Sequence, residues 1–328
     1  MKKAPTFEDF AFQSEINEAV IDAAVAAREV FYAETGASSD TFTQELPVYL
    51  TVPEGVDRAA TPFVRLPAWS DDNGRKEGAV VDALIASITG RPVLAPNAPG
   101  IDFSEWQRAA IDGVSHLMTP DQREDVRQHY SLRKVGGAVM MATVAASKEF
   151  GLSGDFNLLG SSLAVGIAAG ALNKAGEEGI EVPGVSLSEG VNFIDRSMGR
   201  LMLQFIAQNR FAGGYLEQNP DIIPDEAPIH WLKRTIEGWP ANGSYVRALA
   251  RASFLADLGD ISWMQDQNTR LFMTRGTASA LADEAGYQKI TQELWQAGAN
   301  LEFKEYPGHD HPYTMTIQSM INDAKEIA

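Results

Sequence analysis

Asp155-Phe156-Asn157-Leu158-Leu159-Gly160-Ser161-Ser162-Leu163-Ala164-Val165-Gly166-Ile167-Ala168-Ala169-Gly170-Ala171-Leu172 is the stretch whose reading decides the fold. A short apolar run ends at Gly160. Two serines follow, and small residues then alternate with Leu, Val and Ile at helical spacing, which predicts strand, tight turn and helix. The turn has the form of a nucleophile elbow, a sharp strand-to-helix bend that holds a serine hydroxyl clear of the backbone. Ser162 is that serine. Positions two before and two after it must be small because strand and helix backbones pass close there, and Gly160 and Ala164 fill them. Ala164 stands where glycine is usual. The competing reading is a buried strand and a helix packed through small residues, with the serines ending one and capping the other.

Outward from this point the chain alternates between strand and helix patterns. Upstream, Pro47–Pro53, Pro62–Leu66 and Arg91–Gly100 read as strands, with a helix over 77–88 and a long helical region over 120–150. Strand, helix, strand in that order implies parallel βαβ units. Downstream, Glu181–Glu189, Arg270–Gly276 and Asn300–Tyr306 read as strands. Helices follow over 283–297 and from Tyr313 to the end. Between Gly190 and Gln267 the alternation lapses into helical sequence carrying Trp231, Trp239 and Trp263, which reads as a cap inserted between strands. Phe7 to Tyr32 carries Phe10, Ile16, Val20, Ile21, Ala24 and Val30 at helical spacing. It reads as an amphipathic helix that packs on the sheet or on a second subunit, so a homo-oligomer stays open.

Composition excludes several function classes. A chain of 328 residues can bury a large core. A formal net charge of -17 leaves no excess of Lys and Arg for a phosphate backbone or an anionic bilayer, which disfavours nucleic acid and membrane as partners. With 0 cysteines, thiolate metal sites, disulfides and a cysteine nucleophile are out. No apolar run approaches bilayer length. The first residues are basic but lead into acids instead of an apolar segment, so the expected location is cytoplasmic.

The last predicted strand runs into Tyr306-Pro307-Gly308-His309-Asp310-His311-Pro312. In an open parallel sheet the loops at the carboxyl ends of strands converge on one crevice, so these histidines and Ser162 can meet there. His309-Asp310-His311 as a metal cluster is the alternative, although with 5 histidines in the chain a full shell would need carboxylates from elsewhere.

Taken in order, the elbow Gly160-Ser161-Ser162-Leu163-Ala164, the terminal Pro307-Gly308-His309-Asp310-His311, and the early Leu66-Pro67-Ala68-Trp69 and Ala95–Gly100 turns make residues 45 to 328 resemble the α/β-hydrolase superfamily. The resemblance implies a mostly parallel, doubly wound α/β sheet built from 45–189 and 268–328. Residues 1–44 would form a helical extension and 190–267 an inserted helical cap. It implies nucleophile, acid and histidine in that chain order, with His311 favoured over His309 as the general base. A neutral imidazole there would take the Ser162 proton and return it to the leaving group. The oxyanion hole would use the N–H of Leu163, next after the nucleophile, and that of Trp69, where Pro67-Ala68 replaces the more usual His-Gly.

The acid has two candidates. Family members carry an aspartate shortly after the glycine ending the strand before the last helix pair, but Gly276 is followed by Thr277-Ala278-Ser279-Ala280, and Asp283 is the nearest carboxylate. Other members take the acid from the end of the strand after the elbow helix, which is Glu189 here. The expected function is serine hydrolysis of a small ester or related acyl substrate without a cofactor. A fold member that binds without turnover, or that runs C–C hydrolysis or perhydrolysis through the same triad, is the alternative.

Overall fold

A computed structural model describes residues 18–40, 42–68, 73–74, 76–100, 114–205, 207, 239–311 and 317–328. The expectations for 7–17, Trp69, Trp231 and the start of the last helix at Tyr313 fall outside the described residues.

The described strands are β1 (Arg28–Ser38), β2 (Thr43–Thr51), β3 (Phe63–Arg65), β4 (Val93–Pro96), β5 (Val114–Ser115), β6 (Asn157–Ser161), β7 (Gly184–Ser188), β8 (Arg270–Gly276) and β9 (Asn300–Tyr306). They form one sheet in the order β1-β2-β4-β3-β6-β7-β8-β9, with β5 beside β2. From β4 through β9 neighbouring strands are parallel, while β2 runs antiparallel to both β1 and β4. The α/β architecture with a mostly parallel sheet is therefore as the sequence implies.

Helix α1 (Glu18–Ala26) precedes β1, and α2 (Lys76–Thr89) links β3 to β4. Helix α3 (Pro120–Glu124), a π-helical turn (Asp125–His129) and α4 (Arg133–Glu149) occupy the region expected as one long helix. It breaks at Tyr130, which adopts φ 56 in the left-handed region. Helix α5 (Leu163–Glu178) leaves the elbow. Helices α6 (Trp239–Leu249), α7 (Phe254–Leu258) and α8 (Ser262–Asp266) lie within 190–267, the stretch expected as a cap, and α9 (Glu284–Gln296) and α10 (Ile317–Ile327) follow.

Both faces of the central strands are covered, which is why β6 reads as a continuous apolar run. Successive residues point to opposite faces. Leu158 joins the core beneath α4 and α5 with Val139, Ile167 and Leu172, whereas Leu159 joins the core beneath α2 and α10 with Ile85, Ile321 and Ile327. Helices α4 and α5 approach through glycine: a Cβ on Gly136 would stand 2.2 Å from the Ile167 carbonyl oxygen, and one on Gly170 would stand 2.6 Å from that of Leu132.

One expectation differs at the front of the chain. Val30 and Tyr32 belong to strand β1, which pairs Val30 with Tyr49 and Tyr32 with Pro47. The helix ends at Ala26, and residues 28–38 extend the sheet rather than a helical arm. Arg28-Glu29-Val30-Phe31-Tyr32 is rich in β-branched and aromatic residues, and that preference outweighs the helical spacing of its apolar positions.

Candidate active site

At the end of β6 the backbone turns through Ser162 with φ 57 and ψ -116 and enters α5 at once. A non-glycine residue in the left-handed region costs on the order of 1–3 kcal/mol and persists only where its surroundings hold it. Here the Ser162 N–H donates to the Ser188 carbonyl oxygen at 2.9 Å, tying the bend to the tip of β7. A Cβ on Gly160 would stand 3.1 Å from the Ala164 carbonyl oxygen and 3.6 Å from the Ala164 Cβ. The tight contact is with the helix backbone, so a side chain at 160 would press on the first turn of α5, whereas the Ala164 methyl is at ordinary contact distance. Leu163, at the first position of α5, presents one of the amides that a helix leaves without an internal acceptor.

His311 follows β9 by a short turn and lies against the elbow. Its Nε2 is 2.9 Å from Ser162 Oγ, and its Nδ1 is 3.2 Å from Glu189 Oε2. Ser162, Glu189 and His311 are 7%, 1% and 6% exposed, so the run of three polar side chains is largely withdrawn from water and each hydrogen bond acts in a low dielectric.

Glu189 is held from three sides. It adopts φ 59, directly beyond β7. Its own N–H donates to the Thr274 carbonyl oxygen at 3.0 Å. Its second oxygen, Oε1, accepts the Gly276 N–H at the tip of β8. The next amide, Gly190 N–H, donates to the Tyr287 hydroxyl oxygen at 2.6 Å. That phenol is raised well above its ordinary pKa, by burial first and then by the Glu189 charge, so it stays a neutral hydroxyl beside the carboxylate. Gly276 has no room for a side chain, since a Cβ would stand 2.3 Å from the His309 carbonyl oxygen and 3.2 Å from Glu189 Oε1.

The two candidate acids separate cleanly. Asp283 is the N-cap of α9, its side chain accepting the Gly286 N–H at 3.0 Å. It is Glu189 that meets His311. His309 turns its ring edge toward Tyr306 at 6.0 Å between centroids, and burial lowers its pKa. Among the described residues no group of three or more His, Asp or Glu is placed to hold a metal ion.

Trp69 lies outside the described residues, but both flanks of its loop are fixed. The Leu66 N–H donates to the Leu159 carbonyl oxygen at 2.9 Å. Asn73 receives Asn97 Oδ1 on its N–H at 2.9 Å and donates its side-chain amide to the Pro96 carbonyl oxygen at 2.6 Å. The described flanks thus lie beside β6 at Leu66 and beside the end of β4 at Asn73. Between β7 and β8, Phe205 and His311 stand edge to face at 6.4 Å between centroids, and Tyr245 donates to the Pro99 carbonyl oxygen at 2.8 Å. Trp263 instead packs on α5, where a Cβ on Gly176 would stand 2.4 Å from its indole nitrogen. Tyr287 and Phe205 carry no motif, and their roles around Glu189 and His311 arise only from tertiary contact.

Solved structures share this arrangement of strands. A hormone-sensitive lipase from a metagenome library aligns with TM-score 0.51 and 11% identity, over 98% of this chain and 92% of that one. The esterase LipW from Mycobacterium marinum aligns with TM-score 0.51 and 13% identity, over 98% and 90%. A hyperthermophilic esterase from the archaeon Pyrobaculum calidifontis aligns with TM-score 0.51 and 14% identity, over 96% and 89%. The fold is the α/β-hydrolase fold. No protein-family model matches the sequence, and no curated protein matches it. In this fold Ser162 stands directly beyond β6 and His311 follows β9. Among the described residues no helix is long and apolar enough to cross a membrane.

Proposed function

We propose that this protein is a serine hydrolase acting on small carboxylic esters or related acyl compounds, with Ser162 as nucleophile, His311 as general base and acid, and Glu189 as the acid of the triad. The observation that carries the reading is the unbroken run of hydrogen-bonding contacts from Ser162 Oγ through both ring nitrogens of His311 to Glu189. In the neutral imidazole, Nδ1–H donates to Glu189 and Nε2 accepts the Ser162 hydroxyl proton. As Ser162 Oγ adds to the ester carbonyl, that proton passes to Nε2, and Glu189 stabilises the imidazolium that forms. The Leu163 N–H, and Trp69 as the second donor, stabilise the oxyanion. His311 then protonates the departing alcohol, and water enters by the same base to release the acid and free Ser162.

A small acyl group suits a site whose nucleophile is 7% exposed with the Phe205 ring against His311. The observation that favoured a silent binding protein was the missing carboxylate after Gly276. It loses weight because Glu189 Oε1 accepts the N–H of Gly276 itself. The test is covalent labelling by a fluorophosphonate, read by intact mass and peptide mapping, alongside turnover of p-nitrophenyl acetate. Stoichiometric label on Ser162 that disappears in Ser162→Ala and persists in Ser161→Ala is expected. Folded protein that neither labels nor turns over the ester would sink the reading.

A further inference from the structure

Directly beneath the site lies a second buried polar run that the proposed mechanism does not use. Ser188 and Thr274 are paired across β7 and β8. Thr274 donates its hydroxyl to Ser188 Oγ at 2.7 Å, and Ser188 donates its own to Asp323 Oδ2 on α10. The three side chains are 0%, 2% and 7% exposed in the order Ser188, Thr274, Asp323. Their main chains are the ones that hold the triad: the Ser188 carbonyl oxygen accepts the Ser162 N–H, and the Thr274 carbonyl oxygen accepts the Glu189 N–H. The other oxygen of Asp323, Oδ1, has no hydrogen-bond partner. Asp323 also lines a cavity of about 30 Å³ with Arg65, Ala68, Gly160, Ser161 and Met320, room for a water molecule.

We propose that Asp323 is a positioning residue for the hydrolytic site, acting through Ser188 and Thr274: ionised, it holds the tips of β7 and β8 in the geometry that aligns Ser162 and Glu189, and protonated, it loosens them. The inference rests on the serine-hydrolase reading and extends it. A hydrogen bond to a carboxylate is about twice as strong as one to a neutral acceptor, so uptake of a proton weakens the anchor without removing it. Burial, and secondarily Glu326, push the Asp323 carboxyl up to about 7, while the Ser188 hydrogen bond and Lys304 pull the other way. The change of state therefore falls in the neutral range.

Charged and titratable groups surround Asp323 on β3, α2, β8, β9, α9 and α10 itself. Arg65 of β3 and Asp82 of α2 are ion-paired with each other. Arg270 of β8 pairs with Glu326 of α10 at 3.8 Å, and Lys304 of β9 pairs with Glu326 at 3.9 Å. Tyr287 of α9 is a neutral phenol that senses the charges of both Glu189 and Asp323. None of them hydrogen-bonds Asp323 Oδ1.

The experiment is the pH profile of p-nitrophenyl acetate hydrolysis by wild type and Asp323→Asn, which keeps the shape and removes the ionisation. General-base catalysis by one imidazole gives one acid limb. Wild type is expected to show in addition a rise in kcat of about tenfold centred near pH 7, the worth of about one neutral-range hydrogen bond. Asp323→Asn is expected to lack that rise and to stay on the lower plateau with KM unchanged. Should Asp323→Asn fold poorly, Ser188→Ala cuts the same run and must lose the same rise. A single limb shared by wild type and either variant, with equal kcat at pH 8.5, overturns the proposal and leaves the hydrolase reading standing. A wild type without label or turnover overturns the hydrolase reading, and this proposal with it.

Discussion

The loops that follow β7 and β8 each bring a carboxylate toward the same rim of the sheet, and the two carboxylates do different work. Glu189 comes one residue after β7, at φ 59, and both of its oxygens are engaged, one by Gly276 N–H and one by His311. Asp283 comes later in its loop, in extended backbone, and spends its side chain on the first turn of α9. Adjacency in the sheet is what separates them. β7 lies between β6, which carries the elbow, and β8, whose tip supplies the Gly276 amide, so a side chain at its end reaches both. Length also matters: the longer glutamate spans from the β7 tip to the histidine, whereas Asp283 is committed to a cap by its position just ahead of a helix.

The largest expected effect breaks this comparison at its functional end. Glu189→Gln keeps the shape but offers an amide where His311 needs an acceptor for Nδ1–H, which favours the wrong tautomer. A loss of about 10³- to 10⁴-fold in kcat for p-nitrophenyl acetate is expected, with the fold retained by circular dichroism. A loss of less than tenfold would remove Glu189 from the triad.

A third carboxylate sharpens the comparison, because Asp323 on α10 accepts the hydroxyl of Ser188, the residue before Glu189, and is only half served by hydrogen bonds. Its carboxyl is raised from 3.8 to about 7, mainly by burial. A folded-state pKa above the unfolded value means that the native protein holds the extra proton. Stability contributed by that proton is intact below about pH 4 and is lost as pH rises toward 7. Above pH 7 the cost of the buried charge reaches about 4 kcal/mol. Asp323→Asn should therefore unfold at higher denaturant concentration than wild type at pH 8, with the gap closing as pH falls to 4. A gap independent of pH would contradict the assignment. Stability and positioning then run in opposite directions at one residue, a trade common where a site needs a strained group.

Gly276 tests the geometry between the two loops. Gly276→Ala places a methyl against the His309 carbonyl and beside Glu189 Oε1. The histidine loop must move, and a displacement of about 1 Å costs on the order of 10²-fold in kcat. Unchanged kcat in this variant would mean that the His309–His311 turn is free to shift without consequence.

How much of this was legible in the chain follows from where information is local. The elbow, β8, β9 and α9 are readable because each is buried or amphipathic along its own length and bounded by Gly, Pro or a cap. Ser162 and His311 come from such local signals together with the family resemblance. Strand β1 is not readable the same way. Val30 and Tyr32 are 48% and 44% exposed on an edge, so its apolar residues fit a helical spacing as well as a strand. Choosing between Glu189 and Asp283 needs the register that sets Ser188 opposite Thr274 and Gly276 opposite Tyr306. Parallel register is fixed by tertiary packing and leaves no trace in either segment alone. Asp323 is the extreme case, a helix residue 135 positions from its partner Ser188, with nothing in its neighbours to announce the contact.

The smallest expected effect closes the comparison at its structural end. Asp283→Ala removes an N-cap whose side chain accepts the Gly286 N–H, which costs about 1 kcal/mol. In a chain of this size that is a fall of about 2 °C in Tm. The effect on kcat should be nil, because nothing joins Asp283 to His311. Combining Asp283→Ala with Glu189→Gln should add the two losses independently, one in stability and one in turnover. A fall in kcat from Asp283→Ala alone, approaching that of Glu189→Gln, would instead mean that the loop after β8 rearranges to deliver its carboxylate when substrate binds. The acid would then belong to the strand where the α/β-hydrolase resemblance first looks for it.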